Sequence, residues 1–316
     1  MAVCAIAPSR LQVDYATFPV RRFGVEVEYG QDDILECAAQ EISRADPKRP
    51  AEVYEEYRKS ETKEAWHVKL DHSCGDRVGD YGMEVASPIL HGWKDLVILG
   101  KVVRAIASVG ARPNPRCAIH VHAAASDMDK SKMAGLLATW MKVEWVWLAA
   151  VEARRRRSTY CQPLTKALAA VISPQRTYTE MEFMHAFESK NVQRKVAFSV
   201  WRCYQEDERN RWTVELRLPE ATSSSEDIMN WCRVFLRFVE FASAQAFPGN
   251  VSPCPDIKSC LQAMGLWSME GRHLQLSVGL WKARAWLLDR IARLGPDQKV
   301  TDEANLLRRY TLPNAT

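Results

Sequence analysis

Residues 22–30 read Arg-Phe-Gly-Val-Glu-Val-Glu-Tyr-Gly, and their alternation constrains the fold more than any other feature of the chain. A β-strand sends successive side chains to opposite faces. Phe23, Val25, Val27 and Tyr29 therefore share one face, and Gly24, Glu26 and Glu28 share the other. Two carboxylates at i, i+2 repel each other unless a cation lies between them. The plain alternative is a solvated strand face, although such a face ordinarily mixes Thr, Lys, Ser and Gln.

The same pattern returns in four more places. In residues 66–73, Trp66, Val68 and Leu70 oppose His67, Lys69, Asp71 and Ser73. After a Gly/Asp-rich turn, Met83 and Val85 oppose Glu84, so these two runs read as a hairpin with a long turn. In residues 116–123, Cys117, Ile119 and Val121 oppose His120 and His122; in residues 211–218, Trp212, Val214, Leu216 and Leu218 oppose Thr213, Glu215 and Arg217. Strands that are all polar on one side in this way argue for a sheet with one wet, reactive face.

Between and after the strands the apolar spacing turns helical. Helices are expected over residues 32–43 (with Asp32 at the start), 93–109 (ending before Gly110), 129–155 (ending in four arginines), 177–187 and about 227–246, the last capped within residues 223–226. Further helices are expected near 257–265 and 280–294, with a helical tail. Residues 196–203 read as a strand. Residues 44–65 read as a charged surface insertion, partly helical over 51–59. The resulting fold class is α+β: a largely antiparallel sheet with a polar active-site face and helices on its apolar face. The expected divisions are a lead-in at 1–21, a catalytic domain at 22–250 and a helical C-terminal extension at 251–316.

Composition excludes several classes. At 316 residues and 47% hydrophobic the chain is globular. A net charge of +4 without a basic stripe gives no case for nucleic acid. No apolar run reaches the length of a membrane span, and the first residues do not make a signal peptide. The nine cysteines form no C-x-x-C pair, so neither a zinc ribbon nor a redox motif is signalled. The expectation is a cytoplasmic protein with free thiols. Trp140, Trp145, Trp147 and Trp231 are expected to bury against a core or against a second copy, which leaves a homo-oligomer open.

Three or more Glu and one or two His in one chamber call for cations. Glu oxygens with His nitrogen suit Mg²⁺ or Mn²⁺ bridging phosphates. Lys69 and Arg217 add fixed positive charge for a transferring phosphoryl group. No P-loop or kinase glycine loop is present, so a nucleotide is held in some other way. Two alternatives stand beside this one. His120-x-His122 with Asp71 or Glu84 is also a His₂-carboxylate set for a zinc hydrolase of amides or esters. A non-catalytic binding module is the other.

Taken together and in order, these pieces resemble the amidoligases of the glutamine synthetase/glutamate–cysteine ligase superfamily, which are carboxylate–amine ligases. The matching pieces are residues 23–28, Trp66 through Lys69, Asp71 and Ser73, residues 83–88, residues 117–122, the arginine run into residues 158–164, and residues 214–217. Coverage runs from about 22 to 245. Two departures stand out: Ala118 replaces the usual Gly before the His-x-His, and residues 195–200 lack the usual Tyr and Asn. The resemblance implies a glutamine synthetase-like catalytic domain that uses ATP and Mg²⁺ (or Mn²⁺) to join a small-molecule or peptide carboxylate to an amine through an acyl phosphate. It implies Glu26, Glu28, Glu84, Glu215 and His120 as metal ligands, with His122 as an alternative ligand or nucleotide contact. It also implies Lys69 and Arg217 on the transferring phosphate, Asp71 orienting Lys69 or taking a proton from the amine, and Ser73 and Arg157 on the cofactor.

Overall fold

The computed structural model describes residues 21–54, 64–77, 79–190, 195–205, 212–267 and 278–309. Seven strands form one sheet in the order β2-β3-β4-β1-β5-β7-β6. They are β1 (Phe23–Tyr29), β2 (Ala51–Tyr54), β3 (Trp66–Asp71), β4 (Gly82–Ala86), β5 (Ile119–Ala124), β6 (Phe198–Ser199) and β7 (Thr213–Leu216). The Glu-x-Glu strand β1 lies at the centre, antiparallel to both β4 and β5. Every pairing is antiparallel except β2 with β3.

The apolar side chains of the alternating runs face one way. Phe23, Val25, Val27, Tyr29, Trp66, Val68, Met83, Val85, Ile119, Val121, Val214 and Leu216 are all buried in one core. Burying that face removes apolar area from water at about 25 cal/mol per Å², the main drive for closing helices over it. Helix α1 (Leu35–Ala45) lies against β2 and β3, and α8 (Ser225–Ser243) lies against β5. Helix α2 (Gly92–Ser108) packs on both α1 and α8. Gly110, at φ 91°, takes the left-handed conformation just past α2 that a side chain would strain. Ser224 caps α8 by accepting the Asp227 N–H at 3.2 Å.

A second helical layer covers α8. Helix α3 (Lys130–Ala149) is apolar on every side and is buried accordingly. Trp140 and Trp147 on α3 meet Phe198 and Trp231 in offset stacks, with centroids 4.6 and 6.2 Å apart respectively. These tryptophans thus belong to the core. Helix α10 (Val278–Leu294) packs on α8 and α3, and α11 (Gln298–Arg309) packs on α10 and on α9 (Ile257–Ala263). Among the described residues no helix is long and apolar enough to cross a membrane. The eight described cysteines are free thiols.

Several expected elements differ. Residues 51–54 are a strand and not a helix, and the reason is tertiary. Ser43 Oγ accepts the Ala51 N–H at 2.9 Å and Asp46 holds Trp66 Nε1 at 3.0 Å, so the segment is stitched to the sheet edge. Residues 55–59 of that expectation lie outside the described residues. Helix α1 starts at Leu35, three residues later than Asp32, and has no side-chain cap. The helix expected over 129–155 is broken. Arg290 Nε takes the Ala150 carbonyl at 2.8 Å and Arg156 takes the Val151 carbonyl, and a short helix α4 (Ala153–Arg156) restarts the chain. The strand expected over 196–203 shortens to two residues and turns into α7 (Arg202–Gln205). Helices α5 (Leu164–Leu168) and α6 (Glu180–Ser189) complete the set, α6 opening on a Thr179/Glu182 capping box.

Candidate active site

The antiparallel register turns the alternation of each strand into a two-dimensional array. Glu28 stands opposite Glu84, and Glu84 opposite Lys69. Glu26 stands opposite His120, and His122 opposite Glu215. Directly opposed side chains lie about 5 Å apart at Cβ, so residues scattered over nearly two hundred positions of sequence meet on the face away from the core. That face is not wet in the sense expected from the sequence. Glu28, Glu84, Lys69, His120, His122 and Glu215 are each no more than 7% exposed. Ionised groups removed from water require close partners.

Two clusters form. In the first, Glu26, His120 and Glu215 bring one ligand atom each within 4.8 Å of the others. Glu26 Oε2 lies 3.1 Å from His120 Nδ1, and Glu215 Oε1 lies 3.8 Å from the same nitrogen. His122 Nε2 reaches to 3.4 Å from Glu26 Oε1, yet it is buried without an aligned hydrogen bond among the described residues. In the second cluster, Glu28, Asp71 and Glu84 meet within the same limit. His120 stands between the two, its Nε2 3.7 Å from Glu28 Oε1.

Cations frame both clusters. Lys69 Nζ pairs with Glu84 at 2.7 Å, and Arg217 Nη1 pairs with Glu215. Arg217 Nε is buried and unpartnered among the described residues. Arg202, on α7, brings Nη2 to 3.6 Å from Glu26 Oε1 with more than a third of its side chain exposed. The charge balance differs from one cluster to the other. Burial pushes Glu26 and Glu215 up, but the neighbouring histidines outweigh it, with Arg217 added at Glu215. Glu26 ends well below the usual carboxylate range and Glu215 ends below it. Burial also raises Glu28 well above that range, and the Glu84 and Asp71 charges add to it. Burial and the Glu26 charge push Glu84 up to about 8, against the pull of Lys69. His120 is lowered by burial and by Arg217, which leaves its nitrogens neutral and able to ligate.

The donor sets fit divalent cations. Glu26, His120 and Glu215 offer two carboxylates and an imidazole; Glu28, Asp71 and Glu84 offer oxygen alone, the choice of Mg²⁺ or Mn²⁺. The unsatisfied His122 nitrogen aimed at Glu26 and the like charges at Glu28 and Glu84 are what such ions relieve.

The remaining expected residues fall in three places. Asp71 is half-buried at the end of β3 and accepts the Ser73 N–H at 2.7 Å. Ser73 itself is exposed in the turn after β3, so it does not continue the strand face. Arg157 is exposed at the C-cap of α4. Its neighbours are committed to the backbone: Arg155 to the Arg217 and Leu218 carbonyls at 2.6 and 3.0 Å, Arg156 to Val151 and Leu294, and Arg154 to Pro115.

Sequence reasoning did not reach Arg202, because that residue was placed in a strand. It also passed over Thr213, whose Oγ1 is 3.5 Å from His122 Nδ1, although Thr213 alternates with Glu215 and Arg217. Ala118 was read only as a departure from a Gly. Its N–H donates to Glu28 Oε2 at 2.7 Å and fixes that carboxylate.

No curated protein matches the chain. A family model described as "Putative amidoligase enzyme" matches residues 19–239, a span that contains both clusters, Lys69, Arg202 and Arg217, and the chain belongs to the amidoligase family.

Proposed function

We propose that this protein is an ATP-dependent carboxylate–amine ligase of the glutamine synthetase type, with two Mg²⁺ (or Mn²⁺) ions, that works through an acyl phosphate. The observation that carries this reading is the pairing of two adjacent cation clusters, linked by His120 and flanked by Lys69 and Arg217. A single His₂-carboxylate site for zinc leaves the all-oxygen cluster without a role.

Glu26, His120 and Glu215 would hold one cation and Glu28, Asp71 and Glu84 the other, with His122 available to the first. Bound there, the ions would supply charge neutralisation for the nucleotide phosphates and the transferring group. A substrate carboxylate oxygen bonds to the γ-phosphorus as the bridging P–O bond breaks, and ADP leaves with the electron pair. The amine nitrogen then bonds to the acyl carbon, the C–O(P) bond breaks, and phosphate departs. Lys69 and Arg217 stand at fixed positions, anchored by Glu84 and Glu215, where charge on the transferring group can be stabilised without reorganisation. Asp71, the one carboxylate of the second cluster with substantial solvent access, would take a proton from the incoming ammonium on the oxygen that the cation leaves free. Arg157, exposed at the C-cap of α4, is assigned to the nucleotide by the family resemblance alone. The substrate class is a small or peptide carboxylate with an amine.

The test is ADP release over pooled acids and amines, with mass spectrometry of products and hydroxylamine as a trapping nucleophile. ATP-dependent hydroxamates are expected for at least one acid pool. Tightly bound zinc and ATP-independent cleavage of amides instead make the protein a hydrolase and overturn the reading.

A further inference from the structure

We propose that Arg290 is a positioning residue for Glu28, so that helix α10, which lies beyond the matched residues 19–239, sets the geometry of the second cation cluster. The linkage is continuous. Arg290 is buried on α10 and its guanidinium pairs with the buried carboxylate of Glu220. It is held from three sides: Nε donates to the Ala150 carbonyl at 2.8 Å, and the rings of Trp231 and Trp286 lie 5.3 and 5.4 Å from the guanidinium. Glu220 in turn forms an antiparallel bridge with Ala118. The bridge is flanked by the Ile119 N–H on the Pro219 carbonyl at 3.1 Å and the Ala221 N–H on the Cys117 carbonyl at 3.2 Å. Ala118 is then fixed from its other edge by Glu28, whose N–H donates to the Ala118 carbonyl at 3.1 Å while its carboxylate accepts the Ala118 N–H at 2.7 Å.

The chemistry explains why a charged pair stands here and not an apolar one. Glu220 cannot remain ionised in this interior without a paired cation, and breaking a buried pair by removing one partner is far more disruptive than replacing both. With Arg290 removed, Glu220 must take up a proton or move toward water, and in either case residues 219–221 lose the anchor that Arg290 gave them. Ala118 moves with them, and its N–H no longer points at Glu28. Arg155 on the Arg217 and Leu218 carbonyls braces the adjoining backbone. The strain therefore concentrates at Glu220 and Ala118 and spares Glu215. Only the consequence for cation binding rests on the proposed two-cation function; the positioning itself does not.

The experiment compares wild type, Arg290→Met and the double variant Arg290→Met/Glu220→Gln, all full length. Site-resolved amide hydrogen exchange is measured without metal, and Mn²⁺ binding is measured by electron paramagnetic resonance. In Arg290→Met, exchange at Ala118 is expected to accelerate at least tenfold while Val68 and Val85 in the β3–β4 ladder stay protected. One of two Mn²⁺ sites is expected to weaken about tenfold. The double variant, which leaves no buried unpaired charge, is expected to regain most of both. If Arg290→Met does not fold, Arg290→Lys replaces it, since it keeps the charge but loses the planar fork. Unchanged exchange at Ala118, or acceleration of every sheet amide together, overturns the proposal. Absence of Mn²⁺ binding in wild type defeats the two-cation reading instead, and the exchange result still decides the positioning.

Discussion

The two clusters sit side by side on one face of the sheet, sharing β1 and otherwise spread over β5 and β7 on one flank and β3 and β4 on the other, yet they are balanced in opposite ways. Around Glu26 and Glu215 stand His120, His122, Arg202 and Arg217, and both carboxylates are held below their usual range. Around Glu28 and Glu84 stand Lys69 and a second pair of negative charges, and both carboxyls are raised. The first cluster is preassembled by the protein's own cations. The second holds its carboxyls raised, so on the proposed function ion binding there would be coupled to proton release and would be firmest when nucleotide phosphate adds further ligands.

The largest test of this contrast is Glu28→Gln. It removes a ligand of the second cluster while the Ala118 N–H still finds an oxygen acceptor, so the fold is expected to persist. Carboxylate-dependent ADP formation is expected to fall by about a thousandfold or more, on the order seen when preorganised charge is lost from a phosphoryl-transfer site. Full activity in this variant removes Glu28 from the site.

Next comes pH dependence without metal. The folded-state pKa of Glu84 is raised to about 8 from an ordinary 4.5. Above the histidine range the folded state therefore holds a proton that the unfolded chain has already lost, and stability falls as pH rises from 7 to 9. The expected loss over that interval is about 1.4 kcal/mol, one pK unit's worth, because the folded state itself gives up the proton near pH 8. Thermal melts in chelator should show it, excess Mg²⁺ should flatten it, and Glu84→Gln should reduce it, since Glu28 is raised as well. A melting temperature that climbs between pH 7 and 9 contradicts the balance described.

Asp71→Asn sharpens the separation of the clusters. It is expected to weaken one Mn²⁺ site by about tenfold and leave the other as it was; coupled ligand losses of this kind run to 10–100-fold. Equal weakening at both sites means that the clusters are one. The smallest effect is expected from Arg202→Gln. Arg202 competes with a cation for Glu26 but is partly solvated, so the pair contributes about 0.5 kcal/mol. Mn²⁺ affinity at the first cluster should rise about twofold, and a fall counts against the competition.

Much of the face could be read in the sequence because strand alternation is a local property. Glu26, Glu28, Lys69, Asp71, Glu84, His120, His122, Glu215 and Arg217 all lie on runs whose period is two, and no packing partner is needed to tell their faces apart. Residues 51–54 were misread for the opposite reason. Four residues carry little periodicity of their own, and their strand state comes from Ser43, Asp46 and the edge of β3. The arginine run shows the same limit. From sequence, Arg154 to Arg157 form one basic run, of which only the resemblance singles out Arg157 for the cofactor. In the fold, Arg156 closes the Val151 carbonyl where α3 ends, Arg155 and Arg154 bond carbonyls of the distant Arg217–Leu218 and Pro115 segments, and Arg157 alone is left to the solvent side.

By itself the sequence determined which side chains share a face, because the pleat places every second residue together whatever surrounds the strand. It narrowed the chemistry open to this face, because carboxylates, imidazoles and two fixed cations admit few partners. Only the tertiary structure decided that these groups divide into two clusters, because cross-strand register sets which carboxylate meets which histidine. It alone decided that they are buried, and that Ala118, Glu220 and Arg290 stand behind Glu28, because burial and buttressing depend on segments far apart in the chain.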